Sequence, residues 1–66
     1  MLLRASSIEQ GGAIVRALHS VGITASAATR RGHTIVSVKS ATDQDVRALV
    51  AKVALAADPA AVLPEP

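Results

Sequence analysis

Two alternating segments in the middle of the chain constrain its fold more than any other feature. From Ile23 to Thr29, residues Ile23, Ala25, Ala27 and Thr29 fall on one face, and Thr24, Ser26 and Ala28 on the other. From Thr34 to Ser40, Val36 and Val38 point one way while Ile35, Ser37 and Lys39 point the other. A period of two is the signature of a strand. Only Arg30-Arg31-Gly32 and the adjoining His33 separate the two segments, too few residues for a crossover, so the pair is predicted to be an antiparallel β-hairpin. The β-branched run Thr34-Ile35-Val36-Ser37-Val38 suits the second strand to the centre of a sheet.

A helical pattern flanks the hairpin on each side. Before it, Ile8, Ile14, Val15, Leu18 and Val21 make a stripe at spacings of three, four and seven. Ser6 and Ser7 precede this stripe, with Glu9 three residues after Ser6 as in a capping box. Gly22 follows where a left-handed C-terminal cap belongs. A helix from about Ser7 to Val21 is expected. Gly11-Gly12 interrupts it at a cost of about 1 kcal/mol per glycine relative to alanine. A phosphate loop would need glycines directly after a strand and free amides at a helix start. Ser6 to Gln10 intervene, so close packing of helix on sheet, or a late helix start near Gly12, is the favoured explanation.

After the hairpin, Thr42 is the expected cap of a second helix with Asp43 and Asp45 in its first turn, where the helix dipole favours acids. Val46, Leu49, Val50, Val53 and Ala57 form its stripe, with Leu49 and Val53 expected at the centre, and Pro59 stops it. Met1 to Ala5 reads as a first strand, and Ala60 to Leu63 as a short edge strand ended by Pro64. Residues 1–58 are thus one α+β domain, and 59–66 a Pro-containing C-terminal strand or tail. The expected plan is a ferredoxin-like split βαβ sandwich, βαββα with a short fourth strand, carrying both helices on one face of an antiparallel sheet.

This pattern of strand, Ser-capped helix with Glu9, Ile14, Val15 and Leu18, then Gly22-Ile23, a hairpin and a second helix opened by acids resembles short bacterial signal-transducing domains of PII/GlnB-like or ACT-like ferredoxin plan. The likeness spans roughly Met1 to Ala57. The ligand-binding loops of PII-like proteins have no counterpart, because the hairpin is too short, and Gly11-Gly12 departs from the usual Ala-rich helix. What the resemblance implies is a small regulatory or interaction module, often dimeric, with no functional residue carried over.

Composition narrows the chemistry. The 66 residues include no Phe, Trp, Tyr or Cys, although half are apolar. Ala is the commonest of the apolar residues. A chain this short buries only about 60% of its unfolded surface, and without Cys no disulfide or thiolate metal site supplements the core. The two histidines, His19 and His33, do not make a zinc site. No cofactor and no metal are expected. Glu9, Asp43 and Asp45 sit where helix caps account for them, and no Gly-x-Ser-x-Gly elbow is present. The chain is therefore not expected to be an enzyme. No apolar run approaches the roughly 20 residues that span a bilayer, and Met1-Leu2-Leu3-Arg4 does not open a signal peptide. No membrane association is expected, and the expected location is cytoplasmic.

Two surfaces remain. The face opposite the helices carries Leu2, Arg4, Ile35, Ser37 and Lys39. With a core short of large side chains, this half-apolar face is the expected association surface, with Leu2, Ile35 and Ser37 as candidate interface residues, a homodimer as the expected assembly and a partner protein unidentified. The alternative is nucleic acid. The net charge is only +2, but Arg30, Arg31 and His33 gather at the hairpin tip, and Lys39 lies on the sheet face, so these four are candidate anion or nucleic-acid contacts. Against it, RNA-binding sheets stack bases on aromatics, which this chain lacks.

Overall fold

The computed structural model describes residues 1–63. Its elements are β1 (Leu2–Ala5), α1 (Ile8–Ser20), β2 (Ser26–Arg30), β3 (His33–Ser37) and α2 (Gln44–Ala57). The three strands form one antiparallel sheet in the order β1-β3-β2, with β3 central, and the helices pack against one side. The α+β plan expected from the sequence is the plan observed. Among the described residues, no helix is long and apolar enough to cross a membrane.

The hairpin turn is tighter than its composition announces. Arg30 and His33 are paired residues, so the loop is Arg31-Gly32 alone. Both have positive φ, 53° and 79°, as a type I′ turn requires to match the twist of its strands. Glycine adopts this freely, whereas arginine does so against its Cβ.

Of the two serines expected to cap α1 one does so, and the cap of α2 differs from the expected one. Ser7, not Ser6, caps α1, its hydroxyl accepting from the Gln10 amide at 3.1 Å. Asp43, not Thr42, caps α2, its carboxylate accepting from the Val46 amide at 2.8 Å. In each case the residue three positions before a free amide supplies the oxygen. Ser6 is engaged elsewhere. Its amide and hydroxyl both donate to Asp58 at the end of α2, each at 2.8 Å. α1 ends in a Schellman motif: Gly22, at φ 81°, donates to the His19 carbonyl and Ile23 to that of Leu18.

The core contains Leu3, Ile14, Leu18, Val36, Val38 and Val50, all fully buried, with Ala25, Ala41 and Ala54 between them. It is aliphatic throughout, as the composition demands. Two stripe assignments are corrected. Ile8 and Val21 lie at the ends of the α1 stripe and are 69% and 47% exposed. In α2 the buried residues are Val50 and Ala54, while Leu49 is 43% exposed and Val53 half-buried. The contact line of α2 runs through the small residue Ala54 because α2 packs closely on α1. Choosing the larger apolar residues shifts the inferred face by one position toward Leu49.

Gly11 is buried against β3. A Cβ placed on it would lie 2.6 Å from Thr34 Cγ2, inside contact distance. The glycine lets α1 settle on the sheet.

The fourth strand is reduced to one antiparallel bridge. Arg4 donates to the Val62 carbonyl at 3.0 Å and Val62 returns a bond to the Arg4 carbonyl at 2.8 Å. This bridge lies on the outer edge of β1, so the spatial order is the C-terminal segment, β1, β3, β2. Asp58 and Ala61 to Leu63 pack onto the domain; Pro64 to Pro66, the rest of the expected tail, lie outside the described residues.

Candidate interaction surface on the open sheet face

Strand register decides which side chains share the face away from the helices. Directly paired residues of an antiparallel sheet project to the same side. Leu2, Ser37 and Ser26 form one cross-strand row, Arg4, Ile35 and Ala28 the next, and His33 and Arg30 the last. Val62, opposite Arg4, extends the middle row. The intervening rows, Leu3-Val36-Ala27 and Ala5-Thr34-Thr29, face the helices.

The three candidate interface residues therefore lie on one face, with Leu2 directly opposite Ser37 and Ile35 in the adjacent row. Leu2 is 60% exposed and Ile35 is half-buried. Val62 joins them at 52% exposure. Leu2, Ile35, Val62 and Leu63, with Leu3 beneath and Arg4 and Arg30 beside them, line a shallow hollow of about 410 Å³. The contribution of Val62 and Leu63 is absent from the sequence reading of this face. The signal for it is the apolar stretch Ala60 to Leu63, whose edge position was legible while its face was not.

The charges on this face have one sign. Arg4 stands in the middle row and Arg30 in the last. Among the described residues the acids lie elsewhere: Glu9 in α1, Asp43 and Asp45 at the start of α2, and Asp58 buried at its end. Their capping and clasping roles draw them to the helix layer.

The four candidate anion contacts divide into two places. Arg30, Arg31 and His33 are exposed together at the hairpin tip. Lys39 lies beyond the end of β3, six residues from His33, or about 20 Å along an extended strand. There it lines a second hollow, of about 380 Å³, with Thr24, Ser26, Ser37 and Ser40 among its neighbours. Among the described residues, no three His, Asp or Glu side chains are placed to hold a metal ion.

Comparison with family models, with curated proteins and with solved structures returns no match. The likeness to PII-like and ACT-like domains thus extends to the order of elements, β-α-β-β-α, and no further.

Proposed function

We propose that this chain is a small non-enzymatic interaction module of regulatory type, and that the open sheet face binds a partner protein. The observation that carries the reading is the combination on one face of Leu2, Ile35 and Val62 with Arg4 and Arg30, and no acid beside them among the described residues. Apolar side chains supply the area that leaves water. The arginines select a partner whose rim is acidic. A second copy brings the same cations, so this face fits a different protein better than it fits itself.

Affinity capture with wild type and Ile35→Glu tests the reading. A partner lost with Ile35→Glu, and retained with Lys52→Glu on α2, supports it. A partner retained equally by both variants sinks it.

The second reading is a nucleic-acid regulator that grips phosphate with the hairpin tip. The gathering of Arg30, Arg31 and His33 at one exposed turn favours it. A gel shift with random duplex separates the readings. Binding that falls steeply with salt and disappears in the double variant Arg30→Ala, Arg31→Ala selects nucleic acid. No shift at low salt selects protein association.

A further inference from the structure

The two edges of the sheet are treated differently. The β1 edge is occupied, because the outward amide and carbonyl of Arg4 bond Val62. Among the described residues nothing pairs with the β2 edge, and all five residues of β2 are exposed. The phase of the ladder gives the direction of each β2 backbone group. Met1 and Val38 exchange hydrogen bonds, each 2.8 Å. In an antiparallel pair bonded and non-bonded positions alternate. Ser37, next to Val38, therefore turns its amide and carbonyl to β2, and Ser26, Ala28 and Arg30 turn theirs to β3. Ala27 and Thr29 are left with both backbone groups directed outward, one residue on either side of Ala28.

We infer that β2 of one copy pairs antiparallel with β2 of a second copy about a two-fold axis through Ala28, joining the two sheets into one. That axis sets Ala27 opposite Thr29 of the second copy, and Thr29 opposite its Ala27, so the outward amides and carbonyls meet as bonded pairs. Ala28 faces Ala28, where small side chains allow close approach. Arg30 faces Ser26 and not another Arg30, so no like charges are opposed. The edge is lightly protected against such pairing: β2 has no Pro or Lys, its register with β3 is continuous over all five residues, and its one charge, Arg30, stands at the end of the strand. Access is open as well. Ala27 and Thr29 project toward the helix layer yet remain exposed, so α1, which reaches as far as Ala27, does not cover this edge. Pairing at the edge leaves both open faces free, and brings Arg30 of each copy beside the Ser26 rim of the other copy's second hollow.

Sedimentation of the full chain across a concentration series, with hydrogen exchange read at single amides, tests the inference. Wild type is expected to sediment at twice 6.7 kDa, with the Ala27 and Thr29 amides protected in the dimer and unprotected on dilution. Thr29→Pro removes an outward N–H that β3 does not use. Ala28→Lys opposes two like charges at the axis without touching the backbone. Each is expected to halve the mass while the far-ultraviolet circular dichroism stays native. Ile35→Glu, on the open face, is expected to remain dimeric even where it loses a partner protein. A wild-type monomer at millimolar concentration overturns the inference. So does a dimer that survives both β2 substitutions, or one that Ile35→Glu dissociates.

Discussion

Ser6 and Asp58 stand 52 positions apart and are joined by two hydrogen bonds of 2.8 Å, from the Ser6 amide to Oδ2 and from its hydroxyl to Oδ1. The Ala60 amide adds a third at 3.2 Å, and nearby the Gln10 side chain donates to the Ala57 carbonyl at 3.3 Å. The clasp ties the turn entering α1 to the end of α2, and sets the direction in which the chain leaves toward Val62. Asp58 is 1% exposed, and a carboxylate so enclosed is stable only because donors surround it.

These donors hold the Asp58 carboxyl below its ordinary value of 3.8. The Ser6 amide is the largest cause; burial opposes it, and the Ser6 hydroxyl and the Ala60 amide assist. A carboxyl depressed in the folded state contributes stability that is complete above the unfolded pKa and disappears as pH falls through the folded one. Chemical denaturation between pH 7 and pH 2 should therefore show stability falling at the acid end of the range. Asp58→Asn should be less stable at pH 7, because its amide nitrogen cannot accept from Ser6, and its stability should fall less steeply in acid. Equal acid dependence in both proteins would refute the clasp.

The adjacent glycines of α1 should respond in opposite directions to alanine. Gly11→Ala places a methyl 2.6 Å from Thr34 Cγ2, and overpacking of this kind costs about 1–3 kcal/mol. At Gly12 the nearest atom is the mobile Arg16 guanidinium at 3.3 Å, so Gly12→Ala should gain up to about 1 kcal/mol of helix propensity. Thermal unfolding midpoints of the two variants check the signs. A stable Gly11→Ala would mean that α1 rides further from the sheet.

Arg31 holds φ 53° in the hairpin turn. Arg31→Asn should stabilise the fold by about 1 kcal/mol, since asparagine tolerates the left-handed region that costs most L-residues about 1–2 kcal/mol. Denaturant midpoints decide it. A lowered midpoint would show that the arginine side chain supports the turn.

Neighbouring residues of α2 should differ sharply. Val50 is fully buried and Leu49 is 43% exposed. Val50→Ala should cost about 2 kcal/mol, from two lost methyl groups and the space they leave. Leu49→Ala should cost less than about 1 kcal/mol. Reversed magnitudes would restore the helix register read from residue size.

The sequence by itself determined the local elements. Alternation around Arg30-Arg31-Gly32 specified the hairpin, Gly22 marked the end of α1, Pro59 closed α2, and the order of elements implied an antiparallel sheet with both helices on one side. Each of these follows from the conformational limits of a few adjacent residues. The tertiary structure decided what depends on distant partners. Ser6 is an equally good cap in isolation, and only the approach of Asp58 assigns it elsewhere. Leu49 has the larger apolar side chain, and only the closeness of α2 to α1 buries Val50 and Ala54 instead. Val62 joins Leu2 and Ile35 because the clasp aims the chain back along β1. The outward turn of the Ala27 and Thr29 amides depends on the phase of the ladder, which is set across β3 by Met1 and Val38. Periodicity records which residues share a face, whereas burial, capping and edge exposure are settled by what the fold brings against that face.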